Sequence, residues 1–186
     1  MGRWEPDAAG RLRVAAMDLF STVGYEQATV AEIAERAGVT ARTFFRYFQD
    51  KPEVLFAGSE QLQAEMVAAV REAPAEATPL TAVRAALAAA VEVLGERQDY
   101  ARRRHAVISA NPALMERELM KLARLGDGLA AALRDRGVSE PRASLTADAG
   151  VAAFRIGFAS WVEGSAGTTL DLQLESALKI LTSLEG

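Results

Sequence analysis

Cysteine is absent from this sequence, and histidine occurs once, as His105. The lack of cysteine excludes disulfides, thiolate metal ligands and cysteine nucleophiles. A single histidine cannot build a multi-histidine metal site, and the chain has no phosphate-binding loop, nucleophile elbow or metal-ligand spacing. The sequence therefore predicts no metal and no cofactor, and it lacks the groups on which most enzymes depend.

Long apolar runs are also missing. The most apolar stretch, Val83–Leu94, is short and carries Arg84 and Glu92, so it does not predict a membrane span. The segment Met1–Asp7 alternates charges with Gly, Trp and Pro and lacks the basic start and apolar run of a secretory signal. We expect no membrane partner, and the absence of cysteine suits the reducing cytoplasm.

Aromatic residues make up only 6% of the chain, whereas alanine, leucine, arginine and glutamate are abundant. This composition lowers the cost of helix relative to strand. Half of the 186 residues are hydrophobic, which is enough to bury a core. The sequence predicts an all-α protein of about nine helices, because its apolar residues recur at helical spacing.

The N-terminal part begins with two predicted helices. Apolar residues at helical spacing over Leu12–Val23 mark the first helix. Gly24 follows it, and glycine adopts the left-handed conformation that ends many helices at the lowest conformational energy. Thr29 and Glu32 have the spacing of a capping box at the start of the second helix, which ends at Gly38 after about two turns.

A third predicted helix follows at once. Thr40 is placed to cap it, and its apolar spacing continues to about Phe48. Two short capped helices therefore meet across the turn Gly38-Val39. This arrangement is the pattern of the helix-turn-helix of DNA-binding proteins, in which a short helix and a turn containing glycine precede a second helix, here with threonine at its start.

The rest of the chain predicts a linker helix and a larger domain. Asp50-Lys51-Pro52-Glu53 is another capping signature, and it predicts a fourth helix over about residues 51–72, followed by a loop at 72–78. We expect residues 1–52 to form the helix-turn-helix domain and residues 53–186 a second domain. Its further predicted helices are about 80–94, 100–110, 112–137, Ala143–Glu163 and Leu170–Leu184, the last two separated by Gly164–Gly167.

The net charge of −4 does not argue against a DNA-binding surface, because a local surface meets phosphate. Residues 1–52 hold seven basic and seven acidic side chains, and the remainder holds fourteen and eighteen. Within Thr40–Lys51, however, three basic side chains stand against one acidic one. The basic excess is confined to the third predicted helix and its end.

Helical spacing divides the third predicted helix into two faces. Phe44 and Phe48 share a face that can pack on the first two helices, and Phe45 lies between the faces, where it could touch a thymine methyl. The opposite face holds donors and cations that suit phosphate oxygens and base edges. Its members are Thr40, Arg42, Thr43, Arg46 and Tyr47.

The segment Thr29–Phe56, TVAEIAERAGVTARTFFRYFQDKPEVLF, resembles the DNA-binding segment of the TetR family of bacterial regulators. The family more commonly has Leu or Ile at the position of Phe44 and Tyr at that of Phe45, so one phosphate hydrogen bond of the family is lost here. The features that carry the resemblance are Gly24-Tyr25, Ile33-Ala34, Gly38-Val39, Phe44-Phe45, Tyr47-Phe48 and Lys51.

The resemblance implies a homodimeric repressor that binds palindromic operator DNA and is released by a small molecule. It also implies that Thr29 and Thr40 donate to phosphates at helix starts and that Lys51 does so at the start of the fourth helix. Arg42, Thr43 and Arg46 then become the base readers. The complete predicted DNA interface is Thr29, Thr40, Ala41, Arg42, Thr43, Phe45, Arg46, Tyr47 and Lys51.

Two further sites are predicted in the second domain. The resemblance places the dimer interface on the last two helices, whose apolar residues also exceed what a lone hairpin can bury, although core packing is the alternative for each of them. The predicted interface residues are Phe154, Phe158, Trp161, Leu174, Leu178 and Leu181.

The resemblance places the ligand pocket among the middle helices, where core packing is again the alternative. The candidates are mostly apolar, which favours an apolar or amphipathic effector. For His105 the alternatives are a ligand hydrogen bond, a pH sensor or an ordinary helix residue. The predicted pocket residues are Met66, Leu94, His105, Ile108, Met115, Leu119, Phe154, Phe158 and Trp161.

Three alternatives stay open at this point. A constitutive or protein-controlled regulator would keep the DNA contact and lack the small molecule. An enzyme that uses carboxylates as acid and base would leave the helix-turn-helix unexplained. Activation in place of repression depends on where the operator lies relative to the promoter.

Overall fold

The computed structural model describes residues 7–95, 97–165 and 167–183, and within these ranges it is built of α-helices without a strand. The predicted all-α class is confirmed. Met1–Pro6, Ala166 of the predicted linker and the predicted helix end at Leu184 lie outside the described residues. The helices are α1 Ala8–Thr22, α2 Val30–Arg36, α3 Ala41–Tyr47, α4 Glu53–Phe56, α5 Ser59–Glu72, α6 Pro79–Leu94, α7 Gln98–Ser109, α8 Pro112–Asp135, α9 Arg142–Glu163 and α10 Leu170–Thr182.

Threonine side chains begin four of these helices. The hydroxyl of Thr29 accepts from the amide of Glu32 at 3.2 Å, and the carboxylate of Glu32 accepts from the amide of Thr29 at 2.8 Å, so the predicted capping box is formed. Thr40, Thr78 and Thr169 accept from the amide three residues on in the same way. Each of these bonds satisfies an amide that the first helical turn leaves without a partner.

The predicted linker helix is not continuous, which corrects the sequence-based expectation. It is divided into the four-residue α4 and the longer α5. Ala57 is extended, with ψ 127°, and Gly58 has φ 93°, a left-handed conformation that residues other than glycine rarely adopt. The apolar spacing continues across this break from Leu55 to Leu62, so it does not reveal the interruption.

The chain divides into two compact units. The first comprises the residues up to Ala57 together with Arg103–Met115, and the second comprises Gly58–Arg102 and the residues from Glu116 onward. This division falls after Ala57, five residues beyond the boundary expected at residue 52, and it leaves α4 with the first unit. The buried side chains of α4 are Val54, Leu55 and Phe56.

The second unit has its own apolar core. Side chains of α5, α6, α7, α8, α9 and α10 form it, and many of these residues are alanines. Gly157 of α9 lies so close to the backbone of Gln173 that α9 and α10 pack with little space between them. No helix of the described residues has an apolar stretch long enough to cross a bilayer. The larger core side chains include Met66, Leu87, Leu129, Leu133, Phe154, Trp161, Leu174 and Leu178.

Candidate nucleic-acid interface

The turn between α2 and α3 has the geometry of a helix C-terminus closed by glycine. Gly38 has φ 70°, its amide donates to the carbonyl of Glu35 at 3.0 Å, and the amide of Val39 donates to the carbonyl of Ala34 at 2.9 Å. This pair of bonds is the Schellman motif, and it ends α2 while reversing the chain. Thr40 begins α3 two residues later. The predicted helix-turn-helix is therefore present.

The inner face of α3 fixes the helix to the first unit. Phe44 is completely buried and Phe48 nearly so, and their rings lie 5.3 Å apart. The apolar residues around them, among them Ile33 of α2 and Leu12 of α1, are fully buried too. The prediction that Phe44 and Phe48 point inward is confirmed.

The outer face of α3 presents cations and aromatic rings. Arg42 and Arg46 are exposed, and the guanidinium of Arg46 lies 5.1 Å from the centre of the Tyr47 ring, with Nη2 3.4 Å from the Tyr47 hydroxyl oxygen. Phe45 is 57% exposed, which is unusual for so large an apolar side chain. Ala41, at the first helical position, is half-buried. Two cations and exposed rings on one short helix suit phosphates and base edges.

The threonines at the helix starts have hydrogen bonds that the sequence did not predict. The hydroxyl of Thr29 donates to the Glu32 carboxylate at 2.8 Å while it accepts from the Glu32 amide. The hydroxyl oxygens of Thr40 and Thr43 are 3.1 Å apart. The amide and hydroxyl of Thr29, in that order of effect, hold the pKa of the Glu32 carboxyl below its ordinary value. A phosphate that binds Thr29 must compete with Glu32.

Lys51 is held by the protein's own backbone. Its ammonium nitrogen lies 2.8 Å from the carbonyl oxygen of Tyr25, 3.1 Å from that of Ala28 and 3.4 Å from that of Glu26. The same nitrogen is 4.3 Å from the centre of the Tyr25 ring. Tyr25 is a residue that sequence reasoning used only as part of a motif, and its proximity to Lys51 depends on a non-local contact.

Residues of α7 also belong to the first unit, which sequence reasoning missed. Arg103 lies 3.6 Å from the carboxylate of Asp18 on α1, and Arg36 of α2 lies 3.4 Å from the same carboxylate. Arg104 donates to the carbonyl of Leu55 at 2.7 Å. The only available signal was the run of three arginines before His105.

Comparison with known proteins identifies the family to which this chain belongs. A model of the bacterial regulatory proteins of the tetR family matches residues 12–57, and a model of the MftR C-terminal domain matches residues 77–184. The chain belongs to the TetR family. The first match covers α1 to α4, including the helix-turn-helix, and the second covers α6 to α10.

Curated TetR-family relatives are similar over part of the chain. The HTH-type transcriptional regulator TcmR of Streptomyces glaucescens is 40% identical over 84 residues, which are 45% of this chain and 36% of TcmR. The HTH-type transcriptional activator FasR of Mycolicibacterium smegmatis is 36% identical over 64 residues, which are 34% of this chain and 29% of FasR. The chain thus spans about a third of the length of the curated relatives it matches.

Solved structures are similar over nearly the whole chain. The TetR-family transcriptional repressor FadR of Thermus thermophilus, in complex with lauroyl-CoA, is 27% identical with a TM-score of 0.58, and the match covers 94% of this chain and 93% of that one. The transcriptional regulator FadR of Bacillus subtilis, in complex with stearoyl-CoA, is 20% identical with a TM-score of 0.67, over 94% and 97% of the two chains. The latter likeness shows the fold alone.

The structure places most of the residues predicted for a dimer interface in the core of the second unit. Phe154, Trp161, Leu174 and Leu178 are buried in the core of the second unit of a single chain, which favours core packing over an interface role for them. Phe158 and Leu181 are half-buried. The same two helices expose a different apolar set, which sequence reasoning missed. Its members are Leu145 and Ile156 on α9 and Leu172 and Ile180 on α10.

The predicted pocket residues are divided between the two units. Met66, Phe154 and Trp161 are core residues of the second unit, and Leu94 and Phe158 pack at its edge. Leu119 is 53% exposed on α8. In the first unit, Ile108 is buried, Met115 is half-buried, and the imidazole of His105 lies 3.4 Å from the Ser109 hydroxyl. A ligand role for these residues stays a prediction.

Proposed function

We propose that this TetR-family protein is a transcriptional repressor that binds operator DNA through α3 as a homodimer and is released by a small apolar or amphipathic ligand. The observation that carries the proposal is the outer face of α3. Arg42, Arg46, Tyr47 and the exposed ring of Phe45 follow a helix-turn-helix closed at Gly38. Such a helix fits the major groove of DNA.

Repression is favoured over activation by the extent of the similarity. The Thermus thermophilus repressor matches over nearly the whole chain, whereas the activator FasR matches only 34% of it. A repressor of this kind acts where the operator DNA is, and we place it in the bacterial cytoplasm.

The proposed dimer interface consists of the exposed apolar residues of α9 and α10. Ile156 is 51% exposed and Ile180 is 60% exposed, and Leu145 and Leu172 are also exposed. Four large apolar side chains open to water on two adjacent helices favour association with a second copy. Two recognition helices related by a two-fold axis would match a palindromic operator.

The proposed ligand class is a long-chain acyl-CoA. The Thermus thermophilus repressor, which is solved with lauroyl-CoA, is the similarity that supports it. The predicted pocket residues are mostly apolar, which suits a hydrocarbon chain better than a charged molecule.

The test begins with selection of bound duplexes from a random pool by the whole protein. A palindromic consensus is expected, and the variant that combines Arg42→Ala and Arg46→Ala should recover none, while Arg155→Ala, an exposed arginine of the second unit, should recover the same consensus. Lauroyl-CoA is then added to the protein bound to the consensus duplex. Release supports the proposal, and selection without any consensus would overturn it. If the protein keeps the duplex bound after lauroyl-CoA and other acyl-CoA esters are added, the constitutive or protein-controlled alternative is favoured.

A further inference from the structure

The ammonium of Lys51 lies in a cage made of backbone carbonyls. It has three N–H donors, and it faces three carbonyl oxygens, those of Tyr25 at 2.8 Å, Ala28 at 3.1 Å and Glu26 at 3.4 Å. The first two distances are ordinary for a charged hydrogen bond and the third is long. No donor is left to point at a phosphate unless one of these bonds opens.

An aromatic ring closes the cage. The Tyr25 ring centre lies 4.3 Å from the Lys51 nitrogen, well within the distance at which a cation is attracted to a ring face. The Tyr25 ring is itself held by an edge contact with Phe20 of α1, with the centres 5.1 Å apart. Phe20 is buried, so the ring that covers Lys51 is fixed to the core of the first unit.

The cage joins the two ends of the helix-turn-helix. Its carbonyls come from the turn before α2, and Ala28 immediately precedes Thr29, the residue that caps α2. Lys51 follows the end of α3 at Tyr47 by four residues. The chain at this point is held on the other side by the bond from the Glu53 amide to the Asp50 carboxylate, at 2.8 Å. One side chain therefore fixes the start of α2 relative to the end of α3.

We propose that Lys51 is a positioning residue for the recognition helix and not a phosphate ligand, an inference that rests on the proposed DNA-binding function. The two roles predict different salt behaviour. Each phosphate contact releases condensed counterions and contributes about 0.9 to the slope of log affinity against log salt concentration. A residue that acts only through the backbone of Tyr25 and Ala28 contributes nothing to that slope.

The first experiment compares Lys51→Met, Arg42→Ala and the unaltered protein on two duplexes, the selected consensus and an unrelated sequence of equal length. Lys51→Met should weaken binding to the consensus by about tenfold, a free-energy change of about 1.4 kcal/mol. It should leave the salt slope and the affinity for the unrelated duplex unchanged at a temperature well below unfolding. A fall in slope of about 0.9 with equal weakening on both duplexes would overturn the proposal, as would no change at all.

A second variant covers the case in which Lys51→Met does not fold. Tyr25→Leu keeps the lysine and its charge but removes the ring that closes the cage. It should lower preference for the consensus without changing the salt slope. If Lys51 were a phosphate ligand, Tyr25→Leu would leave DNA binding unaltered, and that result would count against the cage.

The third measurement needs no DNA. In thermal or denaturant unfolding, Lys51→Met combined with Tyr25→Leu should lose less stability than the sum of the losses of the two single variants, because both remove the contact between the ammonium and the ring. If the losses of stability of the two single variants simply added up in the double variant, Lys51 and Tyr25 would not interact and the proposal would be overturned. If the unaltered protein bound no duplex, the proposed function would fail, and this cycle would still decide whether Lys51 and Tyr25 interact.

Discussion

Arg42 is the side chain on α3 with the clearest chemical role to test. It is exposed at the second position of the helix, where a side chain reaches base edges when the N-terminus of a recognition helix enters the major groove. Arg42→Ala should cost about 1–3 kcal/mol in operator binding and relax base preference at one position of each half-site. Binding to single-base operator variants, measured at fixed salt, checks this prediction. Arg155→Ala is the control, and equal affinities for Arg42→Ala and the unaltered protein would show that α3 does not read bases through this residue.

The carboxyl of Glu32 at the start of α2 makes the stability of the protein depend on pH. Hydrogen bonds from Thr29, chiefly the backbone amide and then the hydroxyl, hold the pKa of its carboxyl below the ordinary value in the folded protein. A group of this kind contributes stability above its unfolded pKa, and the contribution is lost as the pH falls through the folded pKa. Glu32→Gln should therefore be less stable than the unaltered protein at neutral pH, and the two should converge on acidification below about pH 4. Urea unfolding at several pH values measures this, and a gap that stays constant with pH would contradict it.

At the scale of single residues, what could be predicted from the sequence was local. The bond between Thr29 and Glu32 spans three positions, so their spacing in the sequence was sufficient to predict it. The partners of Lys51 lie 23 to 26 positions away, and only the folded chain brings them together. The family resemblance implied a phosphate contact for Lys51, and the backbone carbonyls around its ammonium could not be predicted from the sequence.

The pairing of α9 with α10 depends on the absence of a side chain at Gly157. A Cβ there would lie 2.8 Å from the Leu174 side chain and 3.0 Å from backbone atoms of Gln173, and backbone cannot give way cheaply. Gly157→Ala should destabilise the protein by about 1–3 kcal/mol. Gly126 of α8 is a matched control, because a Cβ there makes ordinary contacts at 3.4 and 3.6 Å. Gly126→Ala should stabilise the protein by about 0.5–1 kcal/mol through its effect on helix propensity. Thermal unfolding of both variants checks the pair, and shifts of the same sign would contradict it.

The break between α4 and α5 shows where element prediction failed. Glycine inside a periodic apolar pattern costs a helix only about 1 kcal/mol, so Gly58 did not by itself predict an end. In the structure the left-handed conformation of Gly58 separates the buried residues of α4 from those of α5. The helix start at Thr40, which has a local signal, was predicted correctly because a cap lies within three residues of the amide it satisfies.

At the scale of the whole molecule, the proposed dimer uses the exposed apolar residues of α9 and α10. Ile156→Glu combined with Ile180→Glu should convert the dimer to a folded monomer, because both side chains are exposed in the single chain and a charge would be desolvated at an interface of about 1,500 Å². Sedimentation velocity measures the mass, and circular dichroism checks the fold. Trp161→Glu should instead prevent folding, since Trp161 is buried in the core. A double variant that stays dimeric would exclude this face.

The sequence and the structure suggest the same pair of helices for the proposed interface but different faces of each helix. Each helix carries apolar residues around much of its circumference, with Phe154 and Trp161 on one side of α9 and Leu145 and Ile156 on another. Periodicity identifies both sets and does not tell which one the rest of the chain covers. Only the packing of α6 and α10 against α9 decides that the aromatic set is core.

The last prediction concerns the coupling between operator and ligand, which thermodynamics requires to be reciprocal. A ligand that releases the protein must bind the DNA-free state more tightly than the operator-bound state, and a preference of about 100-fold corresponds to about 2.7 kcal/mol. The operator duplex must then weaken ligand binding by the same factor. Titration calorimetry of lauroyl-CoA with and without a saturating consensus duplex measures both sides of this cycle, and an unrelated duplex is the control. Equal lauroyl-CoA affinity in the two states would mean that this molecule binds without releasing DNA. The same result with other acyl-CoA esters would favour control by a protein partner in place of a small molecule.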